Sequence, residues 1–315
     1  MKKFSLWVIC LFCLTLLSGC GGVKGSAPAV VIDGDEISLS DMECYAAAAV
    51  RSIEQYGETE LVWDGKTDGM PTEDFVRRQA LSIAVNAHVL AHRAEELGLA
   101  LTSADQAEID ARMNADIGGM GEENYKQRLA EEHFTEGFYR HYTYEIPYLQ
   151  EKLWNGLFGE GEAHHPDDDA VRAYYRQQYR STAFLLLSDT DETLLNKARA
   201  GEDFAALSEQ YADILLMADA TGAPVSPGQM GDAFQAALDS LAEGEVSGFV
   251  ETAFGYSVIK RLPDDPDYCE ANLESIRYTY CWTLFGEQML EWEQAAVVET
   301  RDSYDSMEVS RFAVS

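Results

Sequence analysis

The feature that most limits the fold of this 315-residue chain is a change of apolar period near Ser181. Upstream, Phe75, Ala80, Ile83, Ala84, Ala87, Leu90 and Ala91 recur at helical spacing, and Val171, Tyr174 and Tyr175 share one helical face. At residues 182–187 the period gives way to a short apolar run bounded by polar residues, the pattern of a buried strand. Residues 250–252 and 256–260 pair as strands around Phe254-Gly255, and 273–296 is helical again. Strands so widely separated, with helices between them, imply an α+β fold.

Local signals place the remaining elements. Residues 30–32 and 36–37 form short strands around Asp33-Gly34, an Asp-Gly turn. Ser40-Asp41-Met42-Glu43 has the form of a capping box and opens a helix to about residue 55. Residues 63–69 read as loop. Thr72 is placed to cap a helix over 73–97, closed by Gly98. Another helix runs from Ser103 to about 117 and is broken by Gly118-Gly119-Met120-Gly121. Helices over 122–133 and 135–158 follow, and Pro147 should kink or interrupt the second. Residues 163–168 read as a charged linker and 169–179 as a short helix. Further helices are expected over 194–200, 203–211 and 232–241, with a last strand near 297–300.

The N-terminus has its own logic. Met1-Lys2-Lys3 precedes an apolar run over 4–17, shorter than the ~20 residues that span a bilayer. It ends in Leu17-Ser18-Gly19-Cys20, which resembles a bacterial lipobox. That resemblance implies a signal peptide over 1–19, a diacylated Cys20, and a flexible tether over 20–28 that leaves the protein at the outer face of the cell membrane. The formal net charge of −32 argues against nucleic acid as a partner. It would also repel an anionic membrane, so the lipid must do the holding. Cys10 and Cys13 leave with the signal. Cys44, Cys269 and Cys281 remain, an odd number that excludes a complete disulfide framework and leaves one bridge of undetermined pairing. His88 and His92 stand four apart on one helix face without a third ligand at suitable spacing, so no metal is assigned. No nucleophile elbow, phosphate-cradling loop or zinc-protease motif is present, and no cofactor is expected.

Several blocks then occur in a fixed order: Gly201-Glu202-Asp203-Phe204-Ala205-Ala206-Leu207-Ser208, Pro227-Gly228-Gln229-Met230, Ala233-Phe234, Gly244-Glu245-Val246-Ser247, and residues 250–260. In order and spacing, residues 181–262 resemble a parvulin-type peptidyl-prolyl isomerase domain. The flanks are similar to the helical chaperone domain of the PrsA/SurA-type extracytoplasmic foldases. The resemblance implies a helical domain over 29–180, an inserted parvulin-like domain over 181–263, and a C-terminal helix and strand over 264–315 that fold back onto the N-terminal helices.

An X-Pro bond rotates over a barrier of about 18–20 kcal/mol, set by amide resonance. The resemblance assigns Gln229, Met230, Phe234, Phe254 and Tyr256 to substrate binding, with Met230 and Phe234 gripping the proline ring. The polar floor departs from the family. Phe184 stands where parvulins usually carry a first histidine, Ser257 where they carry a second, and Ile214 near the place of a Cys or Asp, while Thr252 is retained. Ser257 can still hydrogen-bond, but Phe184 cannot. The resemblance therefore implies a foldase that binds unfolded or proline-containing exported polypeptides, with a weak or inactive isomerase unit. An active isomerase with an atypical site and a lipoprotein that binds one dedicated partner remain as alternatives.

Overall fold

The computed structural model describes residues 27–56 and 60–313. The signal segment, Cys20 and most of the tether lie outside the described residues. The chain divides into two compact units, one comprising 1–159 with 287–315 and the other 160–286.

The first unit opens with β1 (Pro28–Ile32) and β2 (Asp35–Ser38), joined at Asp33-Gly34. Both turn residues have positive φ, 52° and 96°, which is what a right-twisted two-residue hairpin turn demands. Helix α1 (Leu39–Tyr56) follows at once, and its cap is Ser38, two residues earlier than expected. The Asp41 N–H donates to Ser38 Oγ at 3.1 Å, and the Ser38 hydroxyl donates to Asp41 Oδ2 at 2.7 Å. Ser38 is the last residue held extended by β1, so the helix cannot start earlier and begins directly after it.

β3 (Lys66–Thr67), inside the expected loop, pairs with β4 (Met70–Pro71), just beyond it, in a minimal hairpin. Helix α2 (Thr72–Glu96) begins on Thr72 rather than after it. The Thr72 hydroxyl donates to the Val62 carbonyl at 2.6 Å, so it ties down the preceding loop and does not cap the helix. Helix α3 (Ser103–Met120) carries a capping box between Thr102 and Asp105 and continues through Gly118 and Gly119. Its break comes at Gly121, which takes φ 88°. Two exposed helical glycines cost about 1 kcal/mol each, and the rest of the helix tolerates them.

Helices α4 (Glu122–Glu131) and α5 (Glu136–Arg140) lead to a π-helical turn, His141–Glu145, and then to α6 (Ile146–Phe158). This is the interruption expected from Pro147. Proline has no N–H to give to the residue four back, and the Ile146 N–H bonds instead to the His141 carbonyl, five residues back. The small faces of Ala46, Ala47, Ala48 and Ala49 let α1 pack closely, while Tyr45 meets Phe138 edge-on at 4.8 Å.

The second unit contains α7 (Asp168–Gln178), β5 (Arg180–Leu187), α8 (Glu192–Arg199), α9 (Phe204–Gln210), β6 (Leu215–Val225), α10 (Asp232–Ser240), β7 (Val250–Thr252), β8 (Gly255–Arg261), α11 (Pro266–Ala271) and α12 (Leu273–Ala295). The four strands form an antiparallel sheet in the order β6-β5-β8-β7. β5 is central and covered on both faces, which explains its uninterrupted apolar run. On one face Ala183, Leu185, Leu187 and Val258 meet Leu194, Leu195, Phe204 and Leu207 of α8 and α9. On the other, Phe184, Leu186 and Ile259 meet Phe234 and Leu238 of α10.

The long strand β6 was not expected from sequence. It is an edge strand with little burial, so it lacks the apolar signature that marked β5.

A buried guanidinium clasps the two flanking helices of this unit. Arg277 on α12 donates to the Pro166 carbonyl, to Asp168 Oδ1 at 2.5 Å and to Glu274 Oε1 at 3.1 Å. Arg277→Met should lower the stability of the unit by about 2–3 kcal/mol, because it strands a buried carbonyl and removes charge-assisted bonds. Denaturant unfolding followed by tyrosine fluorescence checks this, and a change below about 0.5 kcal/mol would reduce the clasp to a surface ion pair.

The chain then re-enters the first unit within α12, and continues into β9 (Val298–Thr300) and α13 (Asp302–Asp305). β9 pairs antiparallel with β1. Asn86 of α2 donates to Glu293 Oε1 at 2.6 Å, and Arg93 lies over the Trp292 ring. Within the first unit, the C-terminal segment thus packs onto the N-terminal elements.

Cys44, Cys269 and Cys281 are all free thiols and all buried. Burial pushes the Cys44 thiol up to about 11. The folded state therefore favours the protonated thiol. Its contribution to stability should be intact below the unfolded-state value near pH 9 and be lost as pH rises through about 11. At pH 8 the folded protein should resist iodoacetamide at this position, and mass spectrometry should find it alkylated only after unfolding.

Candidate functional site

The candidate site lies in the second unit, on the sheet face that α10 covers. Directly opposed residues of antiparallel strands point to the same face. The register pairs Phe184 with Ile259 and Leu186 with Ser257 across β5 and β8, and Val250 with Ser257 across β7 and β8. Phe184, Ser257 and Thr252 therefore share this face. Phe234 reaches down to it from α10 and meets Phe184 edge-on, with ring centroids 5.4 Å apart. Phe234 is only 2% exposed and Phe184 is buried as well.

Met230 packs on the same apolar cluster and stays partly exposed. It stands outside the helix that carries Phe234. α10 begins at Asp232, after an extended Gly231, and Met230 lies in the turn before it. Gln229 is exposed, and its Oε1 accepts from the Ser226 N–H at 3.0 Å and the Ser226 hydroxyl at 3.1 Å, which closes the turn.

Thr252 serves the β7–β8 turn. Its hydroxyl donates to the Gly255 carbonyl at 2.8 Å and accepts the Phe254 N–H at 3.2 Å. Gly255 is required there, since φ is 131° and a Cβ would collide with the Leu187 carbonyl oxygen. This turn leaves Phe254 79% exposed.

Two positions fall elsewhere. Tyr256 pairs with Leu187, which places it on the opposite face with the α8–α9 core. Ile214 packs against that same core, so it does not stand beside Phe184 and Ser257. The acid that shares the site face is Asp219 of β6, paired with Phe184 in the register. Its Oδ1 accepts the Gly222 N–H at 2.8 Å. Asp219 was missed because residues 215–225 were not recognised as a strand. The two-residue spacing of Met217, Asp219 and Thr221 was the available signal.

Chemically, this face is a packed apolar cluster around the Phe184 and Phe234 rings, with Met230 at its partly exposed margin. No imidazole faces it, and the hydroxyl of Thr252 is engaged in the turn. Among the described residues, no group of three or more His, Cys, Asp or Glu side chains is placed to hold a metal ion. His88 and His92 stack at 6.0 Å in the first unit, and burial holds His88 below the ordinary imidazole range. No helix among the described residues is long and apolar enough to cross a membrane.

Residues 187–262 match the family model for the rotamase, or PPIC-type PPIase, domain. The chain is 23% identical over 267 residues to the foldase protein PrsA of Caldanaerobacter subterraneus, covering 82% of each. That segment is thus similar to a PPIC-type PPIase domain, in a chain similar to PrsA foldases. A second relative, foldase protein PrsA 3 of Bacillus cereus, is 32% identical over 96 residues, covering 30% of this chain and 34% of that one. Among solved structures, this chain is similar to the peptidylprolyl isomerase (PrsA) of Bacillus anthracis. The TM-score is 0.38 at 17% identity, covering 68% of this chain and 94% of that chain.

Proposed function

We propose that this PrsA-type foldase homologue works outside the cytoplasm, held at the outer face of the cell membrane by a lipid on Cys20. There it binds unfolded, newly exported polypeptides, chiefly through a helical chaperone-like domain over 29–180 and 264–315. Its parvulin-type domain over 181–263 acts mainly as a peptide-binding module and isomerises X-Pro bonds weakly or not at all. The lipid anchor rests on the lipobox-like Leu17-Ser18-Gly19-Cys20. The client class rests on homology to proteins named as foldases.

The observation that carries the weak-isomerase part is the Phe184–Phe234 ring pair. A ring that accepts and donates no hydrogen bond occupies the floor position where the family usually presents an imidazole. A twisted prolyl amide entering this cup would meet hydrocarbon where it needs a polar partner.

The test is cis-to-trans isomerisation of a proline tetrapeptide by the protein lacking residues 1–20, run beside aggregation assays on several unrelated unfolded proteins. A rate near background with protection of several clients is expected. A rate well above background would establish an active isomerase. Protection of none of the clients would instead favour one dedicated partner.

A further inference from the structure

The second unit exposes a strand edge that its own packing leaves open. β6 is the outermost strand of the sheet and pairs only with β5. Along its other side, the outward N–H and C=O groups have no strand partner among the described residues. Edge strands in stable proteins are usually blunted by lysine, proline or a bulge that turns the edge away. The stretch Leu215-Leu216-Met217-Ala218 contains no charge and no proline, and its one irregularity is a bulge at Leu216, the extra residue between the Leu187–Leu215 and Leu186–Met217 pairs. Leu216 is 54% exposed and Met217 55%, and Ala218 is exposed as well. The bulge re-aims Leu216, while Met217 and Ala218 stay in register with Leu186 and Leu185 and point to opposite faces, so at these two positions both faces of the strand are uncovered. The patch extends beyond the strand. Gly255 lies against Leu216, whose Cδ1 would stand 3.2 Å from a Cβ built on that glycine, and Phe254 is the neighbouring residue.

Beyond Asp219 the edge closes on itself, because the Asp219 carboxylate takes the Gly222 N–H. The opposite edge of the sheet, β7, has only three residues. The open stretch at the start of β6 is therefore the place where an added strand finds both backbone partners and apolar side chains.

We infer that the open edge of β6 binds an extended segment of an unfolded client as a fifth strand of the sheet. The main-chain bonds supply affinity without regard to sequence, and Leu216, Met217 and Phe254 favour segments with alternating apolar side chains. Proline is not required in such a segment. A second copy of this chain is the competing occupant, and the charge of −32 on each copy works against it while favouring a segment with basic flanks. This inference rests on the client-binding function proposed above and names where one class of client docks.

The probe is a short, proline-free peptide of alternating Val and Thr with Lys at both ends, fluorescently labelled, together with a version N-methylated at alternate amides on one edge. Anisotropy against the purified protein should show binding of the unmethylated peptide, and at least about tenfold weaker binding of the methylated one. Hydrogen exchange should slow in 215–219 when the peptide is bound. Leu216→Lys with Met217→Lys should weaken binding by about tenfold or more, while exchange across β5 and β8 stays unchanged and shows that the sheet is intact.

Equal binding of both peptides, or binding with protection confined to other residues, would overturn the edge inference and leave client binding standing. Slowed exchange in 215–219 that grows with protein concentration in the absence of peptide would give the edge to a second copy. No binding of the peptide, together with no protection of unfolded proteins from aggregation, would remove both the edge inference and the client-binding function.

Discussion

Phe234→Ala is expected to unfold much of the parvulin-type unit, rather than simply to empty a proline cup. The ring is 2% exposed and packs edge-on against Phe184, within a cluster that includes Leu186, Val225, Leu238 and Ile259. Removing a buried phenylalanine ring costs about 3–5 kcal/mol, from lost transfer energy and the cavity left behind. A domain of ordinary stability has about 5–15 kcal/mol in total, so the loss is a large fraction of it. Met230→Ala is the informative contrast. Met230 is partly exposed and sits in a turn, so its replacement should cost about 1 kcal/mol or less while still trimming the cup. Chemical denaturation of both variants, followed by circular dichroism, checks the pair. Comparable small losses for the two would mean that Phe234 is a ligand-facing side chain and not part of the core. The consequence for assays is direct: loss of peptide binding in Phe234→Ala reports stability first, whereas loss in Met230→Ala reports the cup.

Phe184→His combined with Ser257→His should raise prolyl isomerase activity by about tenfold or more while lowering stability by about 1–3 kcal/mol. Both positions point to the sheet face that α10 covers, and both are buried. An imidazole at 184 would face Asp219 across the β5–β6 register, which offers it a carboxylate partner in place of the Phe234 ring edge. The gained rate should depend on pH between about 5 and 8, the range in which imidazole changes charge, and the parent protein should show no such dependence. The tetrapeptide assay across that range measures both. An unchanged rate in a folded double variant would mean that the shape of the cup, and not the missing histidines, limits turnover.

The fold was legible in sequence where one element's own chemistry decides it. The uninterrupted run in β5 marked a strand covered on both faces, Asp33-Gly34 marked the first hairpin, and Pro147 marked the helix interruption, because a proline cannot bond back whatever surrounds it. The ordered blocks over 181–262 likewise carry the parvulin resemblance, and the family model matches 187–262 of them. Caps were less legible, since several serines and threonines compete for each helix start. Pairing with β1 made Ser38 the cap in preference to Ser40, and the Val62 carbonyl drew the Thr72 hydroxyl away from the helix.

What only the tertiary structure decided was which side chains meet. Sequence placed Phe184, Ile214, Ser257 and Tyr256 in one neighbourhood, but strand register sends Tyr256 to the opposite face, and Ile214, in the turn before β6, packs on the other core. A one-residue difference in position reverses the face on which a strand residue points, so proximity in a motif says little about proximity in space. β6 is the extreme case. Its exposed, weakly apolar sequence carries no burial signal, and it is a strand only because β5 offers it a hydrogen-bonding edge. The same fact hid Asp219 and the open edge, for both exist only once the strand does.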